Sequence, residues 1–363
     1  MKPRNAPATP RRSARVTMND VAREAGVSQA AVSLILSGKD RWVSDSTRQR
    51  VLDAARELGY RYNYHARLLR TGKTHCLAMV GNLHGFALHN YVFTNVCRGV
   101  TEELEDTQSP YSLLLFGSAS AAGIQRSMEL IEQGMVDGLL WVLSSSKIDE
   151  FERETVPWLA ERNLPFVAIH SLSARGFDFP SVGLDSAAGG RLAAKHLAKL
   201  GYKDLGIYLS SPDAPQTLEM LNGFKRGLAD AGAPFQERFV FREGGKSGQH
   251  TFDIACDFAR EAPREKLPRA LFVTLDASAY GLWKGLQARG LRVPEDVALV
   301  GFDDEIPTRY LAPELTTIHH PFREKGQEAV RLLTRLLDEP RAPSKPPRKI
   351  LAPTLVVRKS CGA

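Results

Sequence analysis

The sequence predicts a small helical head followed by a two-lobed α/β core built on parallel sheets. Three observations carry that expectation. Residues 16–62 contain three short, capped helical patterns. From residue 76 onward, apolar runs alternate with helical patterns. Charge is also unevenly shared: residues 1–75 hold 15 Lys and Arg against 6 Asp and Glu, a net +9, while the whole chain sums to +7 and leaves −2 for the rest.

In the head, Thr17 with Asp20 three residues later forms an acidic capping box, and Val21, Ala22 and Ala25 then recur at helical spacing from a start near Asn19. Gly26 supplies a turn and Ser28 a second N-cap. In the second helix Val32, Ile35 and Leu36 face inward, while Gln29, Ala30, Ser33 and Leu34 face outward. Ser44 caps a third helix whose Val51, Ala54, Ala55 and Leu58 cover the other two, and Gly59 ends it. Two short helices meeting at a glycine turn, with a polar outer face, place side chains in a DNA groove. The concentrated positive charge would attract phosphate by counterion release and make affinity fall with salt.

Residues 16–73 resemble the DNA-binding head of the lactose-repressor family of bacterial transcription regulators. The likeness rests on Val16-Thr17, Asp20-Val21-Ala22, Ala25-Gly26-Val27-Ser28, Val32-Ser33, Val43-Ser44, Thr47-Arg48, Arg50-Val51, Leu58-Gly59-Tyr60, Asn63 and Ala66-Arg67-Leu68-Leu69. By that resemblance Gln29 and Ala30 read base edges, with Asn19, Ser28, Ser33, Ser44 and Thr47 nearer phosphates and Thr17 also at the DNA-binding face. Ala31 stands where the family usually has Thr, and Leu34 where an Arg often reads guanine. Leu34 either contacts a thymine methyl or packs on its own domain, and an operator read by this helix should differ from the family consensus at that base pair. Residues 63–70 resemble the family's hinge helix: Asn63 starts it, Ala66 permits close approach, and Leu69 wedges between base steps in the minor groove or else packs on the core. Tyr62 replaces the proline usual before it.

Composition bounds the remainder. The chain has 363 residues, 43% apolar and 25% charged, enough for more than one globular domain. Residues 1–15, rich in Pro, Arg and Ala, read as a disordered basic arm without the apolar stretch of a signal peptide. No run of 18 apolar residues occurs, so no membrane span is expected. Cys76, Cys97, Cys256 and Cys361 lack paired spacing and suit reduced thiols of a cytoplasmic, nucleoid-associated protein.

Strands are expected at 76–80, 112–116, 136–143 and 166–170, separated by helices near 93–108, 121–134 and 149–162. A second series of strands follows at 181–184, 205–209, 238–242, 270–274 and 297–302, with helices near 186–200, 215–231, 248–260 and 277–289. Such alternation predicts parallel sheets with helices on both faces. A last helix near 322–338 and a strand near 349–356 return across a hinge. The expected division is a helix-turn-helix domain at 16–62, a hinge helix and linker at 63–74, and a core at 75–363. Within the core, one lobe takes about 75–172 plus 306–339 and the other about 173–305 plus 340–363.

The core resembles the periplasmic-binding-protein-like half of the same family. The shared stretches are Val136-Asp137-Gly138, His196-Leu197 with Gly201-Tyr202, Gly223-Phe224, Gly290 to Val297, Val300-Gly301-Phe302-Asp303-Asp304 and Leu315-Thr316-Thr317-Ile318. Ligands in open α/β sheets sit at strand carboxyl ends, so an interlobe cleft is the expected effector site. The resemblance places Asp303, His320, Tyr91 and Phe93 there, and Asp185 ends a strand pointing the same way. Asp185 alternatively caps the helix beginning at Ser186, and Asp276 is expected to cap its own helix rather than touch a ligand. Met220 and Leu275 replace an Arg and an Asn usual in the family, which favours a ligand with an apolar patch over a plain monosaccharide bound in the ordinary way.

Other motifs fail on spacing. His319 and His320 are adjacent and point to opposite faces, so no metal site is expected. Gly245-Lys246-Ser247 lacks the first glycine of a phosphate loop, since Val240 occupies that position. No Gly-x-Ser-x-Gly elbow or His-Glu-x-x-His pair occurs, and no cofactor or enzyme activity is implied. The expected protein is a homodimeric regulator, in the sense of a repressor, of a pseudo-palindromic double-stranded operator. A small, carbohydrate-related effector tunes its grip. The rival readings are a solute-binding receptor, which needs export, and an α/β enzyme with a DNA-binding head, which needs turnover.

Overall fold

The computed structural model describes residues 16–36, 40, 42–60, 72–82, 91–118, 121–143, 148–172, 178–244, 250–339 and 345–363. The chain forms two compact units, Met1–Thr74 and His75–Ala363. The arm expected at 1–15, the hinge helix with Asn63, Ala66 and Leu69, and Gly245-Lys246-Ser247 lie outside the described residues.

The first unit contains α1 (Met18–Ala25), α2 (Gln29–Leu36) and α3 (Asp45–Glu57). Val21, Ala22, Ala25, Val32, Ile35, Val51, Ala54 and Ala55 close one small core. These are the positions that the 3.6-residue period brings to one face of each helix. Gly26 ends α1 at φ +63°, a left-handed conformation that a residue with a Cβ rarely adopts.

The second unit begins with β1 (Cys76–Asn82), α4 (Tyr91–Asp106), β2 (Ser112–Ser118), α5 (Ala121–Glu132) and β3 (Gly138–Val142). A helical segment follows as α6 (Ile148–Glu150), a π-turn at Phe151–Thr155 and α7 (Val156–Glu161), leading to β4 (Phe166–Ile169) and β5 (Ser181–Leu184). The chain then passes through α8 (Ser186–Lys199), β6 (Leu205–Leu209), α9 (Pro215–Asp230), β7 (Val240–Arg242), α10 (Thr251–Glu261), β8 (Ala270–Val273), α11 (Asp276–Ala288) and β9 (Ala298–Asp303). It ends with β10 (Thr316–His319), α12 (Phe322–Asp338), β11 (Arg348–Leu351) and β12 (Thr354–Val356).

Two six-stranded sheets result, ordered β11-β5-β4-β3-β1-β2 and β12-β10-β9-β8-β6-β7. All neighbours pair in parallel except β10 with β12. Along β1, Leu77 and Met79 enter one apolar cluster while Ala78 and Val80 enter another, because successive side chains of a strand point to opposite faces. Both faces of the sheet are covered, which is why its strands read as unbroken apolar runs.

The lobe boundaries differ from the sequence expectation in three places. β5 and β11, assigned to the second lobe, belong to the first sheet, where Lys349 pairs with Val182. β10, assigned to the first lobe and absent from the expected strands, pairs with β9 in the second sheet, Ile318 opposite Phe302. The single strand expected at 349–356 is two, broken at Ala352-Pro353, where proline has no N–H to give a ladder. The chain therefore changes lobes at Asp185, at His320-Pro321 and at Ala352-Pro353. α12 packs on the first lobe, against α4 and strands β3, β4 and β5.

Helix pairs on the sheets approach closely through glycine. A Cβ at Gly223 of α9 would stand 1.9 Å from the carbonyl oxygen of Ala187, and one at Gly190 of α8 would stand 2.0 Å from that of Met220. Neither helix can admit a methyl without moving its partner's backbone. Gly223→Ala is therefore expected to lower stability by about 1–3 kcal/mol, read as a lower Tm in thermal unfolding; an unchanged Tm would show that the pair can spread freely.

Candidate functional site

Two surfaces carry the residues singled out by the sequence, one in each unit. In the first, the Thr17 backbone N–H donates to Asp20 Oδ2 at 2.9 Å, and Thr17 Oγ1 accepts from the Asp20 N–H at 3.4 Å, closing the capping box. The Ser28 hydroxyl accepts from the Ala31 N–H at 3.2 Å and opens α2, and Ser44 accepts from the Thr47 N–H at 3.4 Å and opens α3. Thr17, Asn19, Ser28, Gln29, Ala30 and Ser44 are exposed, while Ser33 and Thr47 are half-buried. Leu34 keeps 45% of its surface exposed, so it does not serve as a core residue of its own domain.

The connector into α3 is tied down by an ion pair between Asp40 and Arg48, and Arg48 also donates to Asp45. Beside it stands Trp42, 98% exposed, a residue the sequence reading did not single out. Its only signal was a large aromatic side chain within a polar connector.

In the second unit a cavity of about 260 Å³ opens between the lobes. Gly81, Val92, Phe93, Val142, Leu143, Ser171 and Phe322 line it from the first lobe, and Gln216, Met220, Thr274, Leu275, Phe302 and Asp303 from the second, with His320 at the crossover. Most of these follow the carboxyl ends of parallel strands, where helices and turns must diverge and leave space. Of the expected effector residues, Phe93, Met220, Leu275, Asp303 and His320 meet here.

Tyr91 and Asp185 do not line the cavity. The Tyr91 hydroxyl donates to the backbone carbonyl of Asp304 at 2.9 Å, joining α4 to the second lobe, and burial pushes its phenol up to about 12. Asp185 Oδ1 accepts from the Ala188 N–H at 2.8 Å, so its carboxylate caps α8, the second of the two expected roles. Asp276 departs from the capping expectation: Leu275 holds the N-cap position and Asp276 the first helical one. Its carboxylate is fully buried, where Oδ1 accepts from the Thr317 hydroxyl at 2.8 Å and Oδ2 from the Glu305 N–H at 3.0 Å. Burial holds it well above the usual carboxylate range. It stitches the end of β8 to β10 and to the turn after β9.

That turn is the electrostatic centre of the site. Asp303 and Asp304 both have positive φ, 116° and 58°, which non-glycine residues adopt only when their surroundings compensate. The turn sends Asp303 toward the cavity and Asp304 away from it. His320 Nδ1 lies 3.3 Å from Asp303 Oδ1, and His319 Nδ1 lies 3.2 Å from Asp304 Oδ2. Adjacent histidines thus reach adjacent carboxylates on opposite faces, and among the described residues no cluster of three possible ligands is placed to hold a metal ion.

Asp304 is buried, which opposes its charge, but hydrogen bonds from His319 and from Arg358 Nη2 at 2.6 Å hold it below its usual range. Asp303 is raised well above that range by burial and by the nearby Asp276. Behind His320 lies a residue the sequence reading missed: Lys325 of α12, only 2% exposed. Its signal was a lysine on the apolar stripe of a strongly amphipathic helix, between Phe322 and Ala329.

The comparisons with known proteins agree across both units. Residues 17–63 match the profile of bacterial regulatory proteins of the lacI family, and residues 194–361 that of a periplasmic binding protein-like domain. The chain is 30% identical to catabolite control protein A of Priestia megaterium over 329 residues, covering 89% of this chain and 93% of that one. It is also 30% identical to the transcriptional repressor PurR of Haemophilus influenzae over 355 residues, covering 95% and 98%. Among solved structures, a complex of the regulator CelR with cellobiose aligns at TM-score 0.66 with 27% identity, over 95% of this chain and 100% of that one. A lac repressor dimer bound to operator and the anti-inducer ONPF aligns at TM-score 0.77 with 24% identity, over 96% and 100%, which shows the shared fold. Relatives matched along nearly their whole length are regulators, which favours that reading over a solute-binding receptor.

The His319–Asp304 pair generates a pH dependence. The hydrogen bond to Asp304 raises His319 above its ordinary value, against the effect of burial. A histidine so raised contributes stability that is complete below its unfolded value near 6.5 and lost as pH rises through its folded value. The difference in Tm between wild type and His319→Gln should therefore shrink from pH 6 to pH 8; a constant difference would show that the pair carries no charge coupling. Sequence, fold and both sites lead to one assignment: the chain belongs to the lacI family of bacterial regulatory proteins and is a DNA-binding transcriptional regulator.

Proposed function

We propose that the protein is a dimeric repressor that reads a two-half-site operator through α2 and is tuned by a small, hydroxyl-bearing metabolite held in the interlobe cavity. The observation that carries the effector reading is the cavity itself. Phe93, Phe302, Phe322, Met220 and Leu275 offer an apolar lining, while Asp303, His320, Ser171, Gln216 and Thr274 converge as polar partners. Sugar-like molecules have the matching chemistry, an apolar ring face and a rim of hydroxyls. The relative solved with cellobiose and a lacI-family regulator solved with ribose support a carbohydrate-related effector.

Gln29 and Ala30 would face base edges, with Leu34 against a thymine methyl and Thr17, Asn19, Ser28, Ser33, Ser44 and Thr47 nearer phosphates. Asn63, Ala66 and Leu69 would serve the minor groove. Such a repressor works in the cytoplasm, where its operator is. A ligand that prefers one lobe arrangement alters operator affinity by linkage, typically by about 1–3 kcal/mol.

Two measurements test this. Selection of binding sites from random duplex DNA should return a pseudo-palindrome, and Gln29→Ala should lower affinity for it by about 1–3 kcal/mol while leaving the salt slope unchanged. Equal loss on random DNA would remove Gln29 from base reading. Asp303→Ala should abolish the change in operator affinity caused by the effector that a metabolite screen against the wild type identifies. A wild-type response in that variant would remove Asp303 from the effector site.

A further inference from the structure

Lys325 is buried where an amine is costly unless it finds partners. Its Nζ lies 3.0 Å from His320 Nε2 and 3.3 Å from Ser171 Oγ. The other nitrogen of the same imidazole, Nδ1, lies 3.3 Å from Asp303 Oδ1. The ring stacks on Phe322, centroids 3.5 Å apart and 21° from parallel, which fixes its plane so that each nitrogen meets one partner. With Asp303 as carboxylate, Nδ1–H donates to it and Nε2 accepts from the lysine ammonium. One neutral imidazole thus joins an anion to a cation, each ring nitrogen meeting one partner of matching donor or acceptor character.

The row crosses between the lobes. Asp303 ends β9 of the second sheet, His320 lies on the crossover, Lys325 belongs to α12, and Ser171 follows β4 of the first sheet. Other ionisable neighbours are Asp276, Glu305, Tyr91 and Tyr280 around Asp303, His319 beside His320 and His170 beside Lys325. Burial lowers the Lys325 amine to about 7, against the pull of Asp303. His320 takes Oδ1 of Asp303, which leaves Oδ2 as the acceptor for whatever enters the cavity.

We propose that Asp303, His320 and Lys325 form one charge-balanced unit, and that Lys325 thereby makes the cleft accept an uncharged, hydroxyl-bearing ligand and reject an amine-bearing one. This rests on the cavity being the effector site. A lone buried carboxylate on a cavity wall would draw a cation, because a buried charge without a partner is strongly unfavourable. Lys325 already supplies that partner through the imidazole. A ligand hydroxyl then completes the acceptor capacity of Asp303, whereas a ligand ammonium would bring a second cation to an anion that is already balanced. Removing the lysine charge should invert the preference.

The full-length protein allows two independent measurements at pH 6.0, below the value of about 7 to which burial lowers the Lys325 amine, where that amine and an amino sugar both carry their charge. Thermal unfolding of the wild type, Lys325→Met, Asp303→Asn and the double variant reports on the charge unit without ligand, with Lys325→Gln as the second probe if the methionine variant does not fold. Each single variant should unfold at lower temperature than wild type, and the double variant above Lys325→Met, because Asp303→Asn removes the stranded carboxylate. A double variant that loses the sum of both effects overturns the unit. Titration calorimetry with D-glucose against D-glucosamine, D-galactose against D-galactosamine, D-ribose and cellobiose reports on selection. Wild type should bind an uncharged sugar roughly tenfold or more tightly than its amino counterpart, and Lys325→Met should reverse the order. Preference of wild type for an amino sugar overturns the proposal. Absence of heat with every sugar counts against the carbohydrate reading alone, since the unfolding comparison still decides the charge unit.

Discussion

Much of the cleft depends on one local constraint, the left-handed turn at Asp303-Asp304 after β9. An extended strand alternates its side chains, so a strand end normally delivers one of two neighbours to a cavity and buries the other. Here the turn sets Asp303 against His320 at the cavity and Asp304 against His319 and Arg358 behind it. The backbone strain of two positive φ values is offset by these contacts, by the Tyr91 hydroxyl on the Asp304 carbonyl, and by Asp276, which accepts from the Glu305 N–H at the end of the same turn. Removing any one of these partners loosens the geometry that the others require.

The turn also lies where the chain changes lobes. Three crossovers, at Asp185, His320-Pro321 and Ala352-Pro353, make each sheet from discontinuous chain. Relative motion of the lobes must therefore bend these short segments, while the close helix pairs around Gly190 and Gly223 move as units. The His320 crossover carries an ionisable side chain linked to both lobes, through Asp303 on one side and Lys325 on the other. That gives a physical route by which ligand contacts at Asp303 could bias lobe arrangement, since a ligand shifts an equilibrium only through its differential contacts with the two states.

The head works on a different scale. Among the described residues, its eight buried apolar side chains and its three side-chain caps, at Thr17, Ser28 and Ser44, come from neighbouring positions in the chain. Gln29 and Ala30 are exposed there because the core already consumes the inward positions of a short helix. Leu34 stays outside that core as the helical period places it, whereas Trp42 stands exposed in a connector where no periodicity applies.

The sequence by itself determined whatever depends on neighbours within a few residues. The capped helices of the head, the strand at Ser181–Leu184, the helix at Phe322–Asp338 and the apolar runs of two parallel sheets follow from local spacing, capping and pleat. Through its family resemblance it also named Phe93, Met220, Leu275, Asp303 and His320, which meet at the cavity. Tertiary structure alone decided which sheet β5, β10 and β11 joined, since a short strand pairs with whatever edge its crossover reaches. It likewise decided that Asp185 caps a helix, that Tyr91 grips a backbone carbonyl, and that Asp276 is a buried tie between strands. The role of Lys325 was unreadable for the same reason: its neighbours in the row lie 5, 22 and 154 residues away along the chain, and only folding brings an acid, an imidazole and an amine together.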